Sequence, residues 1–332
     1  MTQDLALIVN QAVQVKGLIF GLPHSNTYAV AHKYRDLISK KIGECNLVSL
    51  NDNSEVVQEI LKKTDIPLVL LTDLPNSEIV EFTRKSSFPL IPVSTDFDAS
   101  CHEYMKIHGV AMIDAVRTVA MAQVGCWQLL AMDRSIKPFP DAGPDQSGGV
   151  ISDVSDAVPA GVAEIITLPS LHEIRGRQSD LATSLAIAQL AHFYNAARME
   201  TATKLSLPLQ VFTNGSPPFA QTDGKFDLVG PARCLTFGPF LYLPVGRWQV
   251  VFEFETSGSL TTNSFRFDVI ADGKVATKDI VHINQSGKFC FSDTFEIHRP
   301  WLPVEFRTFL DKGAIEGHFT LSAVTIDLLS AG

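Results

Sequence analysis

The hydrophobic period changes once along this chain, and that single switch limits the folds open to it. Through the first two hundred residues, short apolar runs alternate with stripes of helical spacing; from about Arg233 onward, apolar and polar residues alternate one by one. Leu5, Ile8, Val9, Ala12 and Val13 recur at helical spacing and predict a short opening helix. Leu18–Leu22, Cys45–Leu50, PLVLLTDL and FPLIPVST read as buried strands. Between them come a helix with Val30, Tyr34, Leu37, Ile38 and Ile42, one with Val56, Val57, Ile60 and Leu61, and one from about Asn76. Alternation of this kind predicts a mainly parallel sheet covered by helices, with ligands outside the carboxyl ends of its strands. Two apolar helices are expected, over about Met112–Met132 and Asp180–Met199, flanking a Gly-, Pro-, Ser- and Asp-rich loop.

In the last third, Trp248, Val250, Phe252 and Phe254 share one face of GRWQVVFEFET, with Arg247, Gln249, Glu253 and Glu255 on the other. Phe265, Phe267 and Val269 alternate likewise with Ser264, Arg266 and Asp268, and Asp272-Gly273 supplies a hairpin turn. The expected architecture is an α/β domain over 1–205, then a β-sandwich over 206–332.

Composition excludes several function classes. The 332 residues carry a net charge of −9 with no basic tract, which argues against nucleic-acid binding. No apolar run approaches the roughly 20 residues of a spanning helix, and the acid-bearing start does not read as a signal peptide, so a cytoplasmic protein without membrane insertion is expected. Five scattered cysteines without a CxxC predict reduced, mostly buried thiols and no zinc ribbon.

The stretch GLIFGLPHSNTY has the layout of a phosphate-binding loop: strand, turn, helix. Free amides at a helix start, aided by its dipole, can hold an anion, with Ser25 and Thr27 adding hydroxyls. The Walker pattern is absent, because Gly21 is followed by Leu-Pro-His-Ser-Asn-Thr with no lysine. Over eight residues the loop is similar to the phosphosulfate loop of sulfotransferases, G-x-P-R-S-G-T-T, with Gly21, Pro23, Ser25 and Thr27 in register. His24 stands where that loop has arginine, Asn26 replaces glycine, and Tyr28 replaces the last threonine. Gly21, Pro23, His24, Ser25, Asn26 and Thr27 are therefore the candidate anion or nucleotide site. The competing account is that Ser25, Asn26 and Thr27 cap the helix and the P-loop-like turn is degenerate.

Other chemistry is thin. His102, Glu103 and His108 lack metalloprotease spacing and read as an exposed polar helix face; Asp141, Asp145, Asp153 and Asp156 lack EF-hand spacing. No G-x-S-x-G elbow announces a nucleophile. Asp73, Asp96 and Asp98 at strand ends suit either a crevice site or helix caps. No metal, no cofactor and no catalytic residue are assigned.

The last hundred residues carry a second resemblance. Gly238, Pro239, Phe240, Leu243, Gly246, Trp248, Val250 and Phe252 follow a G-P-Y-x-x-L-x-x-G-x-Y-x-V-x-F pattern, and Val304, Glu305, Phe306 and Arg307 follow x-V-E-F-R-V. Both are similar to the jelly-roll modules appended to bacterial polysaccharide-biosynthesis proteins. The resemblance implies a jelly-roll sandwich in a glycosyltransferase-associated setting. Trp248, Phe252 and Phe254 belong to the core by alternation. Tyr242, Trp301 and Phe309, with Arg247, Arg266 and Arg307, are the candidate glycan- or partner-binding residues.

Three readings follow. The chain is a non-catalytic accessory of envelope or extracellular polysaccharide synthesis whose sandwich meets a glycan or synthesis proteins. Alternatively it is a sulfotransferase-like or nucleotide-donor transferase. In the third, it is a structural assembly protein, a homo-oligomer through the Met112–Met132 helix.

Overall fold

The computed structural model describes residues 15–51, 66–93, 95–132, 181–195, 203–217, 219–258 and 261–331. The expected helices over Leu5–Val13 and Val56–Leu61, and the loop from Asp141 to Asp156, lie outside the described residues. The chain divides into two compact units, Met1–Ala111 with Thr118–Gln178 and Met112–Arg117 with Ser179–Gly332.

The first unit contains β1 (Val15–Phe20), α1 (Ser25–Ile42), β2 (Asn46–Ser49), β3 (Leu68–Thr72), α2 (Ser77–Arg84), β4 (Leu90–Pro92) and α3 (Phe97–His108). The strand order is β2-β3-β1-β4 and each described pairing is parallel. Every residue of β3 is buried, which is why Leu68 to Leu71 form a continuous apolar run with no alternation before the buried Thr72. Val30 and Ala31 of α1 pack on Ile19, Val69, Leu71 and Ile91, with Tyr34 and Ile38 beside them. Asn76 starts α2 by accepting from the amides of Glu78 and Ile79, and Gly109 ends α3 in the left-handed region at φ 65°.

A long helix, α4 (Met112–Leu130), buries Val119, Ala120, Val124, Trp127 and Leu129. Its Gly125 passes Pro75 so closely that a β-carbon there would lie 2.2 Å from the Pro75 carbonyl oxygen.

The second unit opens with α5 (Leu181–Tyr194) and β5 (Lys204–Leu207), followed by a 3₁₀ turn, β6 (Thr213–Asn214) and β7 (Lys225–Asp227). The long strands are β8 (Arg233–Leu241), β9 (Gly246–Ser257), β10 (Asn263–Ala271), β11 (Lys274–Ile283), β12 (Gly287–Ile297), β13 (Val304–Leu310) and β14 (His318–Ala331). They form two antiparallel sheets, β11-β10-β13-β8-β6 and β12-β9-β14-β5, with β7 also on β14. Apart from the β10–β11 hairpin, each step from β8 to β14 crosses from one sheet to the other, giving a jelly-roll sandwich. Trp248, Phe252, Phe254, Phe265, Phe267 and Phe306 are each no more than 2% exposed and fill the space between the sheets. The rings interlock, Phe267 stacking on Phe291 at 4.8 Å and Phe254 on Phe319 at 5.2 Å. The indole N–H of Trp248 donates to the Pro244 carbonyl, so its burial leaves no polar atom stranded.

Candidate functional site

In the first unit, the order β2-β3-β1-β4 sends the chain from β1 toward β2 and from β3 toward β4, in opposite directions across the sheet. The crevice at the carboxyl ends of β1 and β3 is thus the topological switch point, where open α/β sheets place ligands. The residues Gly21–Thr27 lie there, facing Asp73.

Polar groups of that loop are already engaged at Thr27, His24 and Ser25. Thr27, fully buried, donates its hydroxyl to the Leu22 carbonyl at 2.8 Å. A β-carbon on Gly21 would lie 2.8 Å from the same hydroxyl oxygen, so the turn closes on itself. The helix is capped by His24, whose Nδ1 accepts from the Asn26 amide at 3.1 Å; the expectation that Ser25, Asn26 and Thr27 cap it is corrected. Accepting at Nδ1 leaves the imidazole proton on Nε2. That nitrogen lies 3.1 Å from Glu103 Oε2. The Glu103 carboxylate also accepts from the Ser25 amide at 3.0 Å and from the Ser25 hydroxyl at 3.3 Å.

An acidic side chain from α3 therefore sits where an anion would bind at the start of α1. Glu103 is no exposed face residue: its side chain is 19% exposed, and it turns toward the loop because that is where free donors and the positive helix end are. Tyr28, in the place of a threonine, donates to Asp73 Oδ2 at 2.7 Å. Asp96 stands at the first cap of α3 without a side-chain cap bond, and the His102 ring pairs with the Asp98 carbonyl at 2.8 Å.

In the sandwich, cross-strand register assembles a different group. Arg266 on β10 lies opposite Phe309 on β13, and Asp268 lies opposite Arg307. These four form a two-by-two block on the outer face of the five-stranded sheet, because Phe265, Phe267, Phe306 and Thr308 of the same strands point inward. The Arg266 guanidinium stacks 3.9 Å from the centroid of the Phe309 ring, with Arg307 at 5.7 Å. Arg266 Nε is 3.2 Å from Asp268 Oδ1, and its NH1 is 3.3 Å from Asp311 Oδ1. Arg307 NH2 is 3.6 Å from Asp268 Oδ2. Asp268 is only 4% exposed, yet its Oδ1 and the Nε atoms of both arginines make no aligned hydrogen bond, so charge attraction holds the block together.

Neighbouring strands extend the face. Ser264 bonds His282 at 2.9 Å, Ile280 lies opposite Arg266, Lys278 opposite Asp268, and Glu305 opposite Ile270. Burial raises the Glu305 carboxyl above its usual range, against the pull of Arg307. Burial likewise pushes the adjacent Cys234 thiol up to about 11, an unreactive value.

Of the six sandwich residues singled out from sequence, Arg266, Arg307 and Phe309 come together. Arg247 is exposed on β9 in the other sheet, and Trp301 is half-buried in the turn closed by the Leu302 amide and the Arg299 carbonyl. Tyr242 is half-buried, its carbonyl accepting from the Tyr194 hydroxyl at 2.8 Å. Asp311 and Lys278 were missed, Glu103 was read only as part of an exposed helix face, and Asp268 was visible in the alternation but carried no signal of its role. All five cysteines are free, and no group of three metal-ligating side chains occurs among the described residues. No described helix is long and apolar enough to cross a membrane.

No family model matches the chain, and no curated protein does. Among solved structures, the sandwich region is similar to a xylan-binding module, CBM15, at 11% identity and a TM-score of 0.30, covering 39% of this chain and 98% of that one. A carbohydrate-binding module, CBM36, in complex with calcium and xylotriose gives 10% identity, a TM-score of 0.24, and 38% and 99% coverage. An arabinose-bound α-L-arabinofuranosidase gives 12% identity and a TM-score of 0.24, covering 31% of this chain and 19% of the enzyme, so the match spans about a fifth of it. The neighbours include several carbohydrate-binding modules, while the jelly-roll assignment itself rests on the strand order described above.

Proposed function

We propose that the sandwich binds glycan on the outer face of its five-stranded sheet, and that the protein is a non-catalytic, cytoplasmic accessory of polysaccharide biosynthesis. The observation that carries this reading is the Arg266–Phe309–Asp268–Arg307 block. Together with Asp311, which pairs with Arg266 at its edge, it sets guanidinium donors and a reachable carboxylate acceptor side by side on a rigid sheet, the donor and acceptor pattern that hydroxyl groups of a sugar match. The polysaccharide setting rests on the resemblance of the GPF and VEFR segments, and synthesis proteins are the partners it names.

The transferase alternative is disfavoured by one contact: the Glu103 carboxylate holds the donors at the start of α1 that a phosphorylated ligand would need. Thermal-shift titration of the intact protein separates the two readings, since a ligand of the native state raises the melting temperature. Glycans are expected to raise it in the native chain and not in Arg266→Ala or Phe309→Ala. Nucleotides, nucleotide sugars and phosphoadenosine phosphosulfate are expected to leave it unchanged. A nucleotide shift abolished by Ser25→Ala would replace the accessory reading with the transferase one.

A further inference from the structure

We infer that the glycan held by this face is uncharged: a neutral oligosaccharide with adjacent hydroxyls, not an acidic, sulfated or phosphorylated one. This rests on the glycan reading above and narrows it. The face carries Arg266, Arg307 and Lys278 against Asp268, Asp311 and Glu305, so its cations are matched by carboxylates placed among them. An incoming anion meets guanidinium groups already committed to Asp268 and Asp311. Freeing them would leave Asp268, 4% exposed, as an unpaired buried charge, which is strongly unfavourable.

A sugar hydroxyl imposes no such rearrangement. It donates and accepts at once, so neighbouring hydroxyls can give to Asp311 and receive from the arginines while the ion pairs persist, whereas an ionised sulfate or carboxylate only accepts. The side chains of Arg266, Arg307 and Asp311 keep 24%, 28% and 16% of their surface open, which leaves an edge of each within reach. The Arg266 guanidinium covers Phe309 at 3.9 Å, so the ring is occupied as a stacking platform. Hydrogen bonding across the guanidinium edges, beside the exposed Ile280, is what remains for recognition.

The test is calorimetric titration of the full chain with neutral xylo- and galacto-oligosaccharides and with uronate and sulfated oligosaccharides of matched length, at low and high salt. Neutral glycans are expected to bind with an affinity that changes less than about twofold with salt, as for contacts without net charge transfer. Asp311→Asn and Arg307→Lys are each expected to weaken it about tenfold, the loss of one hydrogen bond to a charged group. Arg307→Lys keeps the charge and Asp311 is at the rim, so melting curves of both verify folding. Tighter, salt-sensitive binding of the acidic or sulfated glycans would overturn this inference and leave the glycan reading standing. Absence of binding by every glycan would overturn both.

Discussion

Glu103 and Thr308 show how single polar groups are treated differently in the two units. Glu103 gathers an amide, a hydroxyl and an imidazole N–H from the loop before α1. Glu103→Ala is expected to lower the unfolding free energy by about 2 kcal/mol, the scale of hydrogen bonds to a charged acceptor, and Glu103→Gln by less, because an acceptor oxygen remains. Urea denaturation of the two variants checks this; equal losses would mean that the carboxylate oxygens do not hold the loop. Thr308 is the opposite case, fully buried with a hydroxyl that makes no hydrogen bond. Thr308→Val keeps the shape and removes the stranded group, so it is expected to raise stability by about 1 kcal/mol. Neither role was legible in the sequence. Glu103 meets Ser25 across 78 positions, and whether a strand threonine finds a partner depends on neighbours that only the register supplies.

At the scale of elements, helix propensity and packing pull in opposite directions at Gly125 of α4. Alanine in a helix interior is favoured over glycine by about 1 kcal/mol. A β-carbon 2.2 Å from the Pro75 carbonyl oxygen cannot be accommodated without moving backbone, and overpacking of that kind costs roughly 1–3 kcal/mol or more. Gly125→Ala is therefore expected to lower the melting temperature despite its better propensity.

The strands β11 and β12 carry a pH effect. The Asp279 carboxyl is held above its usual range by burial, then by its hydrogen bond to Asp293 and that group's charge. The folded state thus binds this proton more tightly than the unfolded chain. Stability from this group is full below the ordinary aspartate value, about 3.9, and is lost as pH rises through the raised folded value. Asp279→Asn is expected to be more stable than the native chain at neutral pH and indistinguishable from it well below pH 4. Urea midpoints across that range measure it.

These strands also show what pattern can reveal. Alternation placed Arg266, Arg307 and Phe309 outward, because period two assigns faces without any partner. Their convergence, and the separation of Trp301, Tyr242 and Arg247 from them, depends on which strands pair and in what register. In the first unit the continuous apolar runs of β1 and β3 announced buried parallel strands. By contrast, α3 buries little beyond Phe97, Ser100 and Cys101, too short a stripe to stand out.

For the molecule as a whole, the net charge of −9 acts in the same direction as the balanced sheet face. An acidic surface repels polyanions at long range, most strongly at low salt. The protein is expected to pass unretained over heparin at low ionic strength, and retention that fades with added salt would show a basic footprint concealed by the net figure.

The position of β14 bears on how such a chain is made. This strand, late in the sequence, lies in the middle of its sheet, between β9 on one side and β5 on the other. A nascent chain leaving the ribosome has both neighbours before it has the strand that joins them, and each waits with an open edge. Sheet closure is thereby postponed until the last of these strands emerges, so a message cut short before His318 yields two exposed edges rather than a slightly smaller sandwich.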